Sequence, residues 1–116
     1  MSTLIIIDQS PYGSWKGREA LDMAFSLAAF DQPVSLLFCG VGVNWLRKGQ
    51  DPATIQQKSI ERNLSAAPIF GVEALLADSV ACDQYGLTKT DLLDHVSIMD
   101  FSPELTDRFD HVAFAG

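Results

Sequence analysis

Five short apolar runs, separated by segments with helical spacing, most constrain the fold of this 116-residue chain. The runs are continuously apolar rather than alternating with polar residues, which is typical of strands buried on both faces of a parallel sheet. No two runs are joined by a tight hairpin sequence. The pattern therefore predicts a flavodoxin-like three-layer α/β/α fold of about five mostly parallel strands, in a single domain over residues 1–116. The predicted strands are Leu4–Ile7, Val34–Phe38, Val72–Ala77, Val96–Met99 and His111–Phe114.

The segments between the runs carry helix signals. Apolar residues recur at three- and four-residue spacing over Gly17–Phe30, which predicts the first helix. Asp51 followed by Pro52 predicts the start of a second helix that runs to about Leu64. Gly86 is expected to end a short helix that starts at Asp78 or Ser79. The other predicted elements are a flexible turn at Cys39–Gly42, single helical turns at Val43–Arg47 and Thr90–Leu93, and a last short helix opened by Ser102-Pro103-Glu104.

The charge balance and the apolar content limit the kinds of partner. The net charge of −7 indicates that the chain does not bind nucleic acid directly through bulk electrostatics. Hydrophobic residues make up 47% of the chain, which indicates either apolar surface buried against another subunit or a highly buried sheet. No segment reaches the roughly 18 apolar residues of a membrane span, and no basic region precedes the first apolar run. We therefore expect no membrane association and a cytoplasmic location.

The loop after the first apolar run has the most distinctive residue pattern in the sequence. In open α/β sheets, the loops at the carboxyl ends of the strands usually carry function. This loop lacks the glycine spacing of a phosphate-binding motif, and an inserted tryptophan is bulky for a phosphate cradle. We interpret it as a rigid structural or interface loop, in which the arginine pairs with a carboxylate or a loop carbonyl; small-ligand binding is the alternative. Its candidate residues are Pro11, Gly13, Trp15, Gly17, Arg18 and Glu19.

The two cysteines are the candidate nucleophiles. Cys39 closes the second apolar run and would be reactive if exposed at the sheet edge, but burial is the favoured interpretation for this residue type. Cys82 lies one turn into a short helix, and the nearby Asp78 and Asp83 are expected to raise the pKa of its thiol. Two cysteines without C-x-x-C spacing and two histidines do not predict a metal site. No cofactor is predicted either.

The pattern P-x-G-x-x-x-G-R-E-x-L-D, from Pro11 to Asp22, resembles the DsrE/DsrF-like sulfur-relay family and, within it, the DsrF-like subunit type. The resemblance spans essentially the full chain. It implies a flavodoxin-like fold and a complex of three related small subunits that passes persulfide sulfur between carrier proteins. DsrE-like and DsrH-like subunits are the implied partners, and thiolation of the tRNA wobble uridine is the implied use. Weaker matches follow in order at Gly42-Val43, Gly49-Gln50-x-Pro52, Gly71-Val72-Glu73 and Gly86-Leu87.

The chain differs from the family's active subunit at the position that the resemblance assigns to the sulfur-carrying cysteine. In the active subunit of the family, a carrier cysteine opens the short helix after the third strand, eight residues before the terminal glycine. Counting back from Gly86, this position is Asp78. A carboxylate has no sulfur nucleophile and cannot hold a persulfide. We therefore expect a non-carrier, non-catalytic subunit that completes the interface around a partner's cysteine.

Two other functions stay open. The chain is an active sulfurtransferase if Cys82, one turn beyond Asp78, or Cys39 carries the persulfide. It is a small-ligand binding module if the loop from Pro11 to Gly17 recognises a nucleotide or phosphate. An isolated chain of such a complex is also expected to be able to form a homodimer through the surface meant for its partners.

Overall fold

A computed structural model describes residues 2–8, 16–30, 32–47, 71–93 and 95–114 of the chain. At positions 16, 17, 18, 20 and 21 it describes the backbone alone. The helix predicted from Asp51 to Leu64 and the loop residues Pro11, Gly13 and Trp15 lie outside the described residues.

The five apolar runs form one sheet, as predicted. Its strands are β1 (Thr3–Ile7), β2 (Val34–Phe38), β3 (Ala74–Asp78), β4 (Val96–Met99) and β5 (His111–Phe114). The strand order is β4-β3-β2-β1-β5, and every pair is parallel. Strands β1 to β4 thus follow chain order across the sheet, and β5 returns to the far side of β1. The predicted flavodoxin-like fold is confirmed.

Helices cover both faces of the sheet. Helix α1 (Lys16–Ala29) and helix α2 (Ser79–Gln84) pack on one face, and helix α3 (Pro103–Thr106) packs on the other. Alternate residues of β1 point into two separate cores, which explains why that run is apolar at every position. The first core includes Ile5, Ile7, Leu36, Phe38, Ala24, Ala28 and Ala81; the second includes Leu4, Ile6, Leu37, Leu76 and Leu105.

The segment after β2 is ordered differently from the prediction. Gly40–Leu46 forms a 3-10 helix, so the predicted flexible turn at Cys39–Gly42 is wrong. The reason is a close approach: a Cβ on Gly42 would lie 2.2 Å from the carbonyl oxygen of Ile7. Glycine at this position lets the helix lie directly on the carboxyl end of β1. The Gly42 N–H donates to the carbonyl oxygen of Cys39 at 2.9 Å, which closes the first turn.

The boundaries of the short helices are close to those predicted. Asp78 is the N-cap residue of α2, but its side chain makes no capping hydrogen bond. Gly86, with φ of +65°, follows the C-cap of this helix as expected. Ser102 caps α3 through its Oγ, which accepts a hydrogen bond from the Leu105 N–H at 3.4 Å. The predicted turn at Thr90–Leu93 is a 3-10 helix over Lys89–Asp91, and β3 starts at Ala74 rather than at Val72.

Within the described ranges, none of the helices combines the length and the apolar character needed to cross a membrane.

Candidate functional site

Polar residues gather where the strands end. Because all the strands are parallel, their carboxyl ends meet at one edge of the sheet. Asp8 follows β1, Cys39 follows β2, Asp78 ends β3 and Asp100 follows β4. These four residues, here called the carboxyl-edge cluster, stand on four neighbouring strands in this spatial order.

Cys39 lies at the centre of the cluster as a protonated thiol. It is half-buried, rather than fully buried as the sequence favoured, and its backbone N–H donates to the carbonyl oxygen of Ile7 at 3.0 Å. Burial is the main cause that raises the pKa of the thiol to about 11, and the negative charges of Asp8 and Asp78 account for the rest of the increase. The thiolate is the nucleophilic form, so Cys39 is a poor nucleophile at neutral pH.

Cys82 lies in α2, and its side chain is enclosed in the first core. Its side chain is 2% exposed and packs among the apolar residues of the first core. Burial is the main cause that raises the pKa of its thiol, and the charges of Asp78 and Asp83 raise it further. The direction of this effect agrees with the expectation that Asp78 and Asp83 raise the pKa of the thiol, and the low reactivity of Cys82 stays a prediction.

Asp78 connects the ends of two strands instead of capping its own helix. Its Oδ1 accepts a hydrogen bond from the backbone N–H of Phe101 at 3.3 Å. A second link runs beside it, because the Oγ of Ser79 donates to Oδ1 of Asp100. The two bonds hold the segment after β3 against the segment after β4. The Asp78 carboxylate therefore has a structural role in this chain.

The arrangement provides acceptors and negative charge but no activated nucleophile. Among the residues that the structure describes, no group of three or more histidine, cysteine or acidic side chains is placed to hold a metal ion. Sequence reasoning missed Asp8 and Asp100 as members of the site. The signal was present, since an aspartate directly follows the apolar run of both β1 and β4.

The first-loop residues are described only in part. Gly17 and Arg18 lie in the first turn of α1, where the backbone alone is described, so the expected pairing of Arg18 stays a prediction. Glu19 is exposed in the same turn, where an acidic side chain suits the positive end of the helix dipole.

The parallel sheet with helices on both faces defines a flavodoxin-like α/β protein. Its candidate site is the carboxyl edge of the sheet, where acidic groups surround a protonated thiol. Within this class, the chain belongs to the DsrE/DsrF-like family, whose sequence profile matches residues 1–107. The family suggested by the pattern from Pro11 to Asp22 is thereby confirmed.

Similar proteins include ones named TusC homolog and DsrF. The chain is 41% identical to the protein TusC homolog of Pseudomonas aeruginosa over 113 residues, which cover 96% of this chain and 95% of that protein. It is 32% identical to the intracellular sulfur oxidation protein DsrF of Allochromatium vinosum, over 90% of this chain and 74% of that one.

Among solved structures, the fold matches the ychN protein of E. coli with a TM-score of 0.76 at 23% identity, covering 98% and 99% of the two chains. It also matches MTH1491 of Methanobacterium thermoautotrophicum with a TM-score of 0.71 at 17% identity, covering 97% of both chains. At these identities the matches show the shared fold.

Proposed function

We propose that this chain is the TusC-like, non-carrier subunit of a sulfur-relay complex that passes persulfide sulfur between proteins. The observation that carries the proposal is Asp78 at the start of α2, in the position that the family resemblance assigns to the carrier cysteine. Similarity to proteins named TusC and DsrF supports a place among the sulfur-relay subunits.

The state of the two thiols supports a non-carrier role over an active sulfurtransferase. A carrier has to present a thiolate to an incoming persulfide. Cys82 is enclosed in the core, and burial together with two carboxylates raises its pKa. Cys39 is more accessible, but its pKa of about 11 keeps it protonated. The chemistry in this proposal therefore belongs to a cysteine of a partner subunit.

The proposed partners are a DsrE-like (TusD) subunit and a DsrH-like (TusB) subunit, in the cytoplasm. The proposed use of the sulfur is thiolation of the tRNA wobble uridine. A net charge of −7 favours contacts with proteins over direct contact with RNA.

Co-expression with the neighbouring DsrE-like and DsrH-like subunits tests the assembly. We expect a defined complex that contains this chain at equal stoichiometry, measured by size-exclusion chromatography and native mass spectrometry. A chain that stays alone as a monomer or homodimer in the presence of both subunits would contradict the proposal.

Sulfur loading tests the chemistry. The assembled complex is incubated with a persulfide donor, and the intact mass of each subunit is measured. We expect the mass of one added sulfur atom on the DsrE-like subunit and none on this chain. Added sulfur on this chain that is lost in Cys39→Ser or Cys82→Ser would establish an active sulfurtransferase instead.

A further inference from the structure

Strand β5 leaves one outer edge of the sheet open. It is the last strand in the order β4-β3-β2-β1-β5, so it pairs on one side alone. The His111 N–H donates to the carbonyl oxygen of Ser2 at 3.0 Å, and in a parallel ladder alternate residues bond to the same neighbour. His111 and Ala113 therefore bond to β1, while the N–H and C=O groups of Val112 and Phe114 point away from the sheet. No residue in the described ranges hydrogen-bonds to these outward groups.

The opposite edge, at β4, is covered by the chain itself. The Val96 N–H donates to the carbonyl oxygen of Leu93 at 3.2 Å, and the Nζ of Lys89 donates to the carbonyl oxygen of Val96 at 3.4 Å. A lysine and a covering segment are two ways in which proteins prevent an edge strand from pairing with another chain. The sequence of β5, His-Val-Ala-Phe, contains neither lysine nor proline. The contrast identifies β5 as the edge that is available for pairing.

The side chains on one face of β5 are apolar and exposed. In the register of the two strands, Val112 lies beside Leu4. Phe114 lies beside Ile6, so these side chains share the face that carries the second core. The two residues of β1 are fully buried, whereas Val112 is 41% and Phe114 is 62% exposed. Of the described α-helices, only the four-residue α3 packs on this face. Strand β5 therefore extends a buried apolar face outwards into solvent.

A second copy of β5, running antiparallel, fits this edge. When Ala113 faces Ala113 of the second copy, Val112 faces Phe114 of that copy, and the outward N–H and C=O groups of both strands are all used. The same register puts each exposed valine beside an exposed phenylalanine, which is a cross-strand pair that stabilises antiparallel sheets. On the other face, two alanines meet where antiparallel backbones lie closest, with about 4.5 Å between the Cα atoms. One strand thus supplies both halves of the interface.

The charge nearest to the strand does not oppose this pairing, although the net charge of the chain is −7. No acidic side chain lies within β5, and Asp110 directly precedes it. Asp110 stands three positions before Ala113 in each copy. The antiparallel register therefore separates the two Asp110 Cα atoms by about 20 Å along the strands, well beyond the Debye length of about 8 Å at physiological salt.

We propose that two copies of this chain pair through antiparallel β5 strands, with Ala113 opposite Ala113, and so form one continuous sheet across a two-fold axis. Self-association of the chain is thereby assigned to one strand and one register. The inference follows from the backbone and side chains of β5 and does not depend on the proposed function. Assembly with the DsrE-like and DsrH-like subunits is measured in a separate experiment, so the two conclusions can fail independently.

The concentration dependence of self-association tests the pairing. Sedimentation velocity of the isolated chain is expected to show a monomer that converts to a dimer as the concentration rises. Phe114→Lys puts on the edge the side chain that natural edge strands use against pairing, and we expect it to weaken the dimer about tenfold or more. Phe30→Lys is the matched control, because Phe30 is 78% exposed and precedes the amino-terminal end of β2. Both variants change the net charge equally. A chain that stays monomeric at every concentration, or equal weakening by the two variants, would overturn the proposal.

Cysteine variants test the register. The Cα atoms of a pair like Ala113 and its copy lie about 4.5 Å apart, within the range for a disulfide. Ala113→Cys is therefore expected to give a cross-linked dimer on non-reducing electrophoresis after treatment with diamide, which takes up the two thiol hydrogens. His111→Cys is the matched control, because its two copies lie about 14 Å apart along the strands, and it is expected to cross-link no more than the wild type. Equal cross-linking of both variants, a preference for His111→Cys, or none in either would contradict the proposed pairing.

Discussion

At Gly42 the 3-10 helix after β2 crosses the carboxyl end of β1 with no space for a side chain. A Cβ at this position would meet the Ile7 carbonyl oxygen at 2.2 Å, so the backbone of one segment would have to move. We expect Gly42→Ala to lower the free energy of unfolding by about 1–3 kcal/mol, as overpacking does elsewhere. Urea unfolding followed by circular dichroism measures the change.

Gly40 provides the control within the same 3-10 helix. Its φ is +52°, and a Cβ there meets no atom within 4 Å. Gly40→Ala therefore introduces backbone strain of about 1–2 kcal/mol without a steric clash. Two results together would contradict a clash between Gly42→Ala and the Ile7 carbonyl. The first is equal destabilisation in Gly40→Ala and Gly42→Ala, and the second is alkylation of Cys39 at the wild-type rate in both. We expect faster Cys39 alkylation in Gly42→Ala alone.

The effects of the nearby carboxylates on the pKa values of Cys39 and Cys82 can be tested separately. Burial is the largest cause that raises the pKa of both thiols. The charge of Asp8 raises the pKa of Cys39 further, and the charges of Asp78 and then Asp83 raise that of Cys82. Removing a negative charge stabilises the thiolate, so Asp8→Asn is expected to lower the pKa of Cys39 and to speed its alkylation at pH 8 about two- to fivefold. Iodoacetamide labelling with peptide mass spectrometry gives the rate at each cysteine.

Asp83→Asn is the matched control for this measurement. It removes the same charge, but next to Cys82, which is enclosed in the core. We expect it to leave the alkylation rate of Cys39 unchanged. An equal acceleration of Cys39 by both variants would indicate a general change in stability rather than a local electrostatic effect.

At the scale of elements, the apolar pattern predicted the sheet well. The bounds of β2, β4 and β5 agree with the prediction residue for residue, because each run is flanked by turn or capping residues. The helical turn predicted at Val43–Arg47 overlaps the observed 3-10 helix Gly40–Leu46, but its start at Gly40 was not predicted. The need for Gly42 arises from a contact with β1, which is distant in sequence. Local patterns carry no information on such a contact.

The composition of the candidate site was predictable only in part. Asp78 was singled out through the family resemblance, by counting back from Gly86, but its bond to the backbone of Phe101 depends on β4 lying beside β3. The strand order, which brings Asp8, Cys39, Asp78 and Asp100 to neighbouring positions, cannot be read from the apolar runs. Sequence reasoning therefore named only part of the set of residues that the structure brings together at this edge.

The residues that precede β1 and β5 are joined by a pair of hydrogen bonds between Ser2 and Asp110. The Ser2 N–H donates to Oδ2 of Asp110 at 2.9 Å, and the Asp110 N–H donates to the Ser2 Oγ at 3.3 Å. The first of these bonds lowers the pKa of the Asp110 carboxyl from its ordinary value of 3.8. A carboxyl whose pKa is lowered by folding stabilises the fold above the ordinary value, and this contribution disappears as the pH falls through the lowered pKa.

We therefore expect Asp110→Asn to reduce the melting temperature at pH 7 and to lose this effect progressively as the pH falls below 3.8. Thermal unfolding of wild type and variant over a pH series measures the difference. Asp107→Asn, an exposed carboxylate three positions earlier, is the control for net charge. A difference between Asp110→Asn and wild type that is the same at every pH would contradict the role assigned to the ionised carboxyl.

At the scale of the whole molecule, the excess of acidic groups decides which macromolecules the isolated chain approaches. With a net charge of −7, the phosphate backbone of RNA is repelled over the range of the Debye length, about 8 Å at physiological salt. We expect the isolated chain to cause no mobility shift of unmodified tRNA at about 0.15 M salt. Saturable retention of tRNA under these conditions would contradict a function limited to contacts with proteins.

The position of β5 in the sheet has a consequence for the order of folding. The bond between Ser2 and Asp110 joins residues 108 positions apart, whereas β1 to β4 pair in the order in which a ribosome delivers them. Closing so long a loop is slow, so β1 keeps one open edge through most of synthesis. An open strand edge can pair with another nascent chain. The outer edge of β1 thus stays open to such pairing until β5 has been made.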